Sequence, residues 1–119
     1  MKDRFNIRYF NKNTKEFEYH KIGAINTKPY TDCTIYEEGQ FCTGLKDKAE
    51  KLIYEGDIVE VINCRGANAV VEYNIDLAMF KLKGEKFSPS ALQHIRKDYF
   101  EVIGNIYTDA HLLEETKND

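Results

Sequence analysis

The side chains best able to hold a metal or act as nucleophiles are three histidines, His20, His94 and His111, and three cysteines, Cys33, Cys42 and Cys64. Zinc sites usually announce themselves as paired ligands a few residues apart. These histidines are too widely separated for that, and the cysteines contain no CxxC spacing. They read as structural histidines and free thiols, although a hairpin could bring Cys33 and Cys42 together. The only serines, Ser88 and Ser90, flank Pro89. Ser90 with His94 as base makes half a triad, with no third group to orient the imidazole. Glu55 and Asp57 are two apart and can share one face of an extended segment. Paired carboxylates catalyse only when held across a substrate with their pKa values split. Beside Gly56, Asp57 is better explained as a turn residue whose carboxylate accepts backbone N–H bonds. Thr43-Gly44-Leu45-Lys46-Asp47-Lys48 lacks the spacing of a phosphate loop, and neither GxGxxG nor GxSxG occurs. No catalytic residue, metal or cofactor is therefore expected.

Aromatic residues are the one excess, with eight Tyr, seven Phe and no Trp. Near the start they interleave with cations, as Arg4, Arg8 and Tyr9, and resume at Phe17 and Tyr19. On an open sheet face, such residues stack single-stranded bases while the arginines hold phosphates. The same residues also suit the core and rim of a small β domain. Charge favours the second reading. Seventeen Lys+Arg against twenty Asp+Glu give a net −3. Neither half of the chain is basic, so no general footprint for nucleic acid or anionic lipid is present.

The elements that must position these groups read mostly as short strands. Phe5, Ile7 and Tyr9 alternate with Asn6 and Arg8, the period of a half-buried strand. Asn11-Lys12-Asn13-Thr14 supplies a turn, and Phe17 and Tyr19 resume the alternation, predicting an opening hairpin. Residues 23–32 read as loop, Thr34-Ile35-Tyr36 as a short strand, and Phe41-Cys42-Thr43 as another. Gly56 separates two apolar runs and can take φ > 0. Ile58, Val59, Val61 and Ile62 after it are apolar on both faces, as in a strand covered on both sides. Ala69–Tyr73 and Met79–Leu82 continue the meander. Ser88-Pro89 predicts a helix start, with Leu92 and Ile95 on one face. Phe100–Tyr107 is a strand in which Gly104 suggests a bulge or a close backbone approach. Asp109 is placed to cap a last short helix through Leu112 and Leu113.

At 119 residues, one domain is expected, since domains most often run to about 100–150 residues. No apolar run approaches the roughly 20 residues of a membrane-spanning helix. The first residues mix charge with apolar groups and contain no signal-peptide core, so the chain is expected to stay where it is made.

Two stretches resemble a known family. Thr43-Gly44-Leu45-Lys46-Asp47-Lys48, followed by Ile53-Tyr54-Glu55-Gly56-Asp57-Ile58-Val59, resembles the TGLKDKNGKEIYEGDIV signature of the YopX family of phage and prophage proteins. Glu101-Val102-Ile103-Gly104-Asn105-Ile106-Tyr107, followed by Leu112-Leu113, resembles that family's closing EVIGNIYENPELL. Where the family often has Asn-Gly this chain has Ala49-Glu50, for which a wider turn or one helical turn is predicted. The resemblance implies an SH3-like barrel in the later half of the chain. It also implies a setting in the bacterial cytoplasm, and brings no catalytic residue or ligand with it.

Together these readings predict a mainly β chain, an N-terminal hairpin leading into a small SH3-like barrel with one or two short helices. Residues 1–119 form a single YopX-like domain: 1–43 the hairpin and first strands, 44–113 the barrel part, 114–119 a tail. The barrel is expected to use strands near 52–62, 69–74, 79–83 and 100–107. Gly44, Tyr54, Gly56, Asp57, Gly104 and Asn105 are expected to build structure. The expected function is that of a phage accessory protein, not an enzyme, which binds a protein partner or its own copies and no membrane. The alternative is a single-stranded nucleic-acid-binding barrel using Arg4, Arg8, Tyr9, Phe17 and Tyr19.

Overall fold

A computed structural model describes residues 6–21, 32–61, 67–76, 78–84, 87–91 and 99–115. The strands are β1 (Asn6–Asn11), β2 (Glu16–Lys21), β3 (Gln40–Lys46), β4 (Leu52–Tyr54), β5 (Asp57–Val61), β6 (Ala67–Asn74), β7 (Met79–Gly84), β8 (Phe87–Ala91) and β9 (Phe100–Asn105), followed by one short helix, α1 (His111–Glu115). They form two antiparallel sheets, ordered β2-β1-β3-β4 and β8-β7-β6-β5-β9. The chain is mainly β, and its curled sheets make a half-barrel.

The opening hairpin forms as its sequence predicts. The Asn11 side-chain oxygen accepts from the N–H groups of Asn13 (2.9 Å) and Thr14 (3.1 Å), which closes the turn between β1 and β2. The faces of β1 differ from the expectation. Ile7 and Phe10 are buried, and so is Arg8, at 4% exposure. Arg8 turns inward because a buried carboxylate from another part of the chain meets it there.

In β3, Gly44 has φ +83°, and the pairing with β4 shifts between Cys42↔Tyr54 and Lys46↔Leu52. That is a bulge, and glycine permits its left-handed backbone. The following turn is wide, as predicted for Ala49-Glu50. It is held by Asp47, 1% exposed, whose carboxylate accepts from Ala49 N (2.9 Å), Lys51 N (2.9 Å) and, across the fold, Val102 N (2.8 Å) of β9. Glu50 adopts φ +65° there, a conformation that strains any side chain with a Cβ. Glu50→Gly is therefore expected to stabilise the fold by about 0.5–1 kcal/mol. The urea midpoint should rise with an unchanged slope, and Glu50→Ala should bring no such gain. A midpoint that does not move would mean the turn carries no strain.

Gly56 makes the sharp turn into β5 at φ +87°, and a Cβ there would overlap the Gln40 carboxamide. Its N–H donates to Val71 O (2.8 Å), and its carbonyl accepts from Ile106 N (3.0 Å). Four residues of β5 are buried, Glu60 being the half-buried exception. Val59 and Val61 enter a core with Ile53, Ala69, Val71, Leu82 and Phe100. Ile58, also buried, is outside that cluster, as expected for the other face; Ile62 lies outside the described residues.

Four expectations are corrected. Leu52–Tyr54 belongs with β3 rather than with the barrel strands, so the proposed division at residues 43/44 cuts through β3. Residues 33–35 form a turn, and Tyr36 makes a single bridge to Asn11 where a strand was expected. Ser88-Pro89 lies in β8, with Ser90 opposite Leu82, and does not start a helix. β8 is an edge strand, where proline's missing N–H costs no ladder bond; Leu92 and Ile95 lie outside the described residues. The last helix forms, but the Asp109 carboxylate turns away from it. It accepts from Asn105 N (3.1 Å) and Thr108 Oγ1 (2.7 Å), while the Asp109 carbonyl takes Leu112 N (2.9 Å). Gly104 admits this return: a Cβ there would come within 2.7 Å of the Asp109 side chain. The predicted bulge is present too, because Ile58 opposes Gly104 and Val59 opposes Val102.

Candidate functional site

Arg8 on β1 reaches Asp57 at the start of β5, with Nη2 2.7 Å from Oδ1 and both side chains almost wholly buried. Arg8 Nε donates to Gln40 Oε1 (2.9 Å), and Nη2 also reaches the Glu55 carbonyl (3.4 Å). Its guanidinium lies 3.9 Å from the centre of the Phe17 ring and 4.7 Å from that of Tyr54. The second oxygen of Asp57 accepts from Tyr54 N (2.8 Å). Burial pushes the Asp57 carboxyl above its ordinary value, and the Arg8 guanidinium and Tyr54 N–H pull it back. Burial is also the main cause that pushes the Tyr54 phenol up to about 12. With both charges matched away from water, this network joins the two sheets and leaves neither group to attack a substrate.

Next to it lies a groove of about 600 Å³, within the size range of ligand sites. Both sheets line it: Phe41 from β3, Glu55 from the β4–β5 turn, Glu72 and Tyr73 from β6, Phe80 from β7, and Tyr107 beyond β9. Phe41 and Tyr73 are 45% and 46% exposed. The Tyr73 and Phe80 rings meet edge-to-face at 5.1 Å, and Tyr107 stacks on Phe10 at 4.9 Å. Glu38, Glu55 and Glu72 bring three carboxylates, and no Lys or Arg is among the described lining residues. Burial raises the Glu55 carboxyl above its usual value; the Phe41 backbone and Arg8 oppose this, while Glu38 and Glu72 add to it. Burial, with Glu37 and Glu38, also raises the Tyr107 phenol.

The aromatic hairpin is not an open stacking platform. Arg8 is consumed by Asp57, and Phe17 is half-buried beneath it. Tyr9, on the opposite face of β1, packs edge-on to Tyr36 at 6.5 Å. Tyr19 is exposed at 56% and leans on Tyr54, with ring centres 5.5 Å apart. Arg4 lies outside the described residues, as do Cys64 and His94. Cys33 is exposed and Cys42 buried, and no disulfide joins them. Among the described residues, no group of three or more His, Cys, Asp or Glu is placed to hold a metal, and no helix is long and apolar enough to cross a membrane. Sequence reasoning passed over Glu38, Phe41, Glu72, Tyr73, Phe80 and Tyr107 as site residues. The aromatic excess was the only signal of them, and it did not say which rings would converge.

The model of the family described as YopX protein matches residues 3–114. The chain belongs to the YopX family. No curated protein matches it. The two YopX motifs now have a physical account. In the first, Gly44 makes the bulge, Asp47 closes the wide turn, Gly56 makes the sharp one, and Asp57 buries Arg8. In the second, Gly104 lets Asp109 approach, and Asn105 Oδ1 accepts from Tyr107 N (2.9 Å) and Thr108 N (3.2 Å). Asp47 on Val102 N joins one motif directly to the other.

Proposed function

We propose that this YopX protein is a phage- or prophage-encoded accessory protein of the bacterial cytoplasm that acts by binding a protein partner and is not an enzyme. The observation that carries this reading is the groove: half-exposed rings from two sheets around a cleft of about 600 Å³. Aromatic residues are favoured anchors at protein interfaces because they bury much area at little entropic cost. A small SH3-like barrel is the scaffold this reading assigns to the second sheet.

The competing reading, single-stranded nucleic acid, needs cations beside stacking rings. Burial of Arg8 removes one, and the groove carboxylates repel phosphate. Labelled single-stranded DNA or RNA is therefore expected to give no anisotropy change near physiological salt. Affinity capture from lysogenic cells should recover a protein on the parent chain and lose it on the Phe41→Ala, Tyr73→Ala double variant. Equal capture by both chains would refute the groove as the binding surface, and micromolar oligonucleotide binding would transfer the reading to nucleic acid.

A further inference from the structure

We infer that the groove receives a basic segment of the partner, with an arginine or lysine head group set between the aromatic rings and the carboxylates of Glu55 and Glu72. This rests on the protein-binding reading and narrows it to one chemistry. Two separate features of the groove point there. The first is its walls: Phe41, Tyr73, Phe80 and Tyr107 offer ring faces and edges from both sheets. Ring faces attract cations, and arginine and lysine carry apolar stems that can lie along such walls. The second is charge. Glu38, Glu55 and Glu72 line the same space, and among the described residues no lining cation answers them. Arg8 is already matched to Asp57, and Glu37 is matched to Lys12 at 3.8 Å. Lys81 stands opposite Glu72 across the β6–β7 pairing, but it is not part of the lining.

Glu55 is half-buried in this aromatic cleft, where an opposite charge is worth more than in open water, while Glu38 and Glu72 stand exposed at its rim. Glu55 is the clearest case. Burial and its acidic neighbours hold its carboxyl above the usual value, so an incoming cation relieves an existing cost. A free polyamine would satisfy the carboxylates, but its methylene stems cover the rings less fully than the side chains of a peptide do. A peptide segment satisfies both.

The test uses the full chain and three fluorescein-labelled hexapeptides, alternating leucine with arginine, glutamine or glutamate, followed by anisotropy. The arginine peptide should bind at least tenfold more tightly than the other two and weaken as salt rises, because these charges are partly open to solvent. Glu55→Gln and Glu72→Gln should each reduce its affinity several-fold with an unchanged melting transition. Affinity should also fall as the pH drops through the raised Glu55 titration, since only the carboxylate form pairs with the cation. If the glutamine or glutamate peptide binds equally well in the groove, the basic specificity is refuted while the protein-binding reading stands. If no peptide binds, the inference is refuted, and the protein-binding reading is decided by the affinity capture alone. Displacement of the arginine peptide by spermidine at similar concentration would assign the site to a free polyamine and overturn the inference.

Discussion

Asp57→Ala is expected to destabilise this protein by about 3–5 kcal/mol, the usual cost of removing one partner from a buried ion pair. The loss is twofold. Arg8, 4% exposed, keeps its charge but loses the Asp57 carboxylate, retaining the neutral oxygens of Gln40 and Glu55. Tyr54 N–H, which donated to the second carboxylate oxygen, loses that acceptor. Against a total stability that is commonly about 5–15 kcal/mol, this is a large fraction. Removing both charges should do less harm than removing one. Arg8→Met combined with Asp57→Ala should recover part of the loss, because no uncompensated charge then stays buried; the unanswered Tyr54 N–H still costs roughly 1–3 kcal/mol. Urea denaturation of both single variants and the double variant completes the cycle. Single variants within about 1 kcal/mol of the parent would show that the pair is dispensable.

Val61→Asp is expected to abolish folding. Val61 is 3% exposed and packs in the main core. The substitution forfeits its apolar burial and places a carboxylate where the surrounding cluster is wholly apolar. Either the carboxylate is desolvated without a partner, which costs several kcal/mol, or it must be protonated. The fold has little reserve for such a term. Circular dichroism should show no cooperative thermal transition, whereas Val61→Ala should keep one with about 2 kcal/mol less stability. A cooperative melt near that of the parent for Val61→Asp would place this strand outside the structural core.

Much of this architecture is local in origin, and that part was legible. Period-two alternation marked the opening hairpin, though not the faces of β1. Asn11, Gly56 and Gly104 each state a local need, for a side-chain cap, a positive φ and a bulge, and the structure has each of these where the sequence put it. Apolar residues on both faces of β5 announced that it is covered on both sides. The errors fall where local signals conflict with a neighbour. Ser88-Pro89 carries the chemistry of a helix start, but the open side of β7 recruits it as an edge strand. Asp109 carries the chemistry of a cap, yet the space above Gly104 draws its carboxylate back to Asn105.

Sequence alone thus determined the β class, the turns at Asn11 and Gly56, the family and the absence of any written catalytic motif, because each depends on residues close together in the chain. Tertiary structure alone decided what Arg8 does. Its alternation on β1 reads as solvent-facing, and only the arrival of Asp57, 49 positions away, turns it into a buried tie between sheets. The groove is likewise a product of convergence. Glu55, Tyr73, Phe80 and Tyr107 reach it from separate elements of the fold. No spacing in the chain encodes that meeting, since it depends on the order in which strands pair and on how the sheets curl around the core.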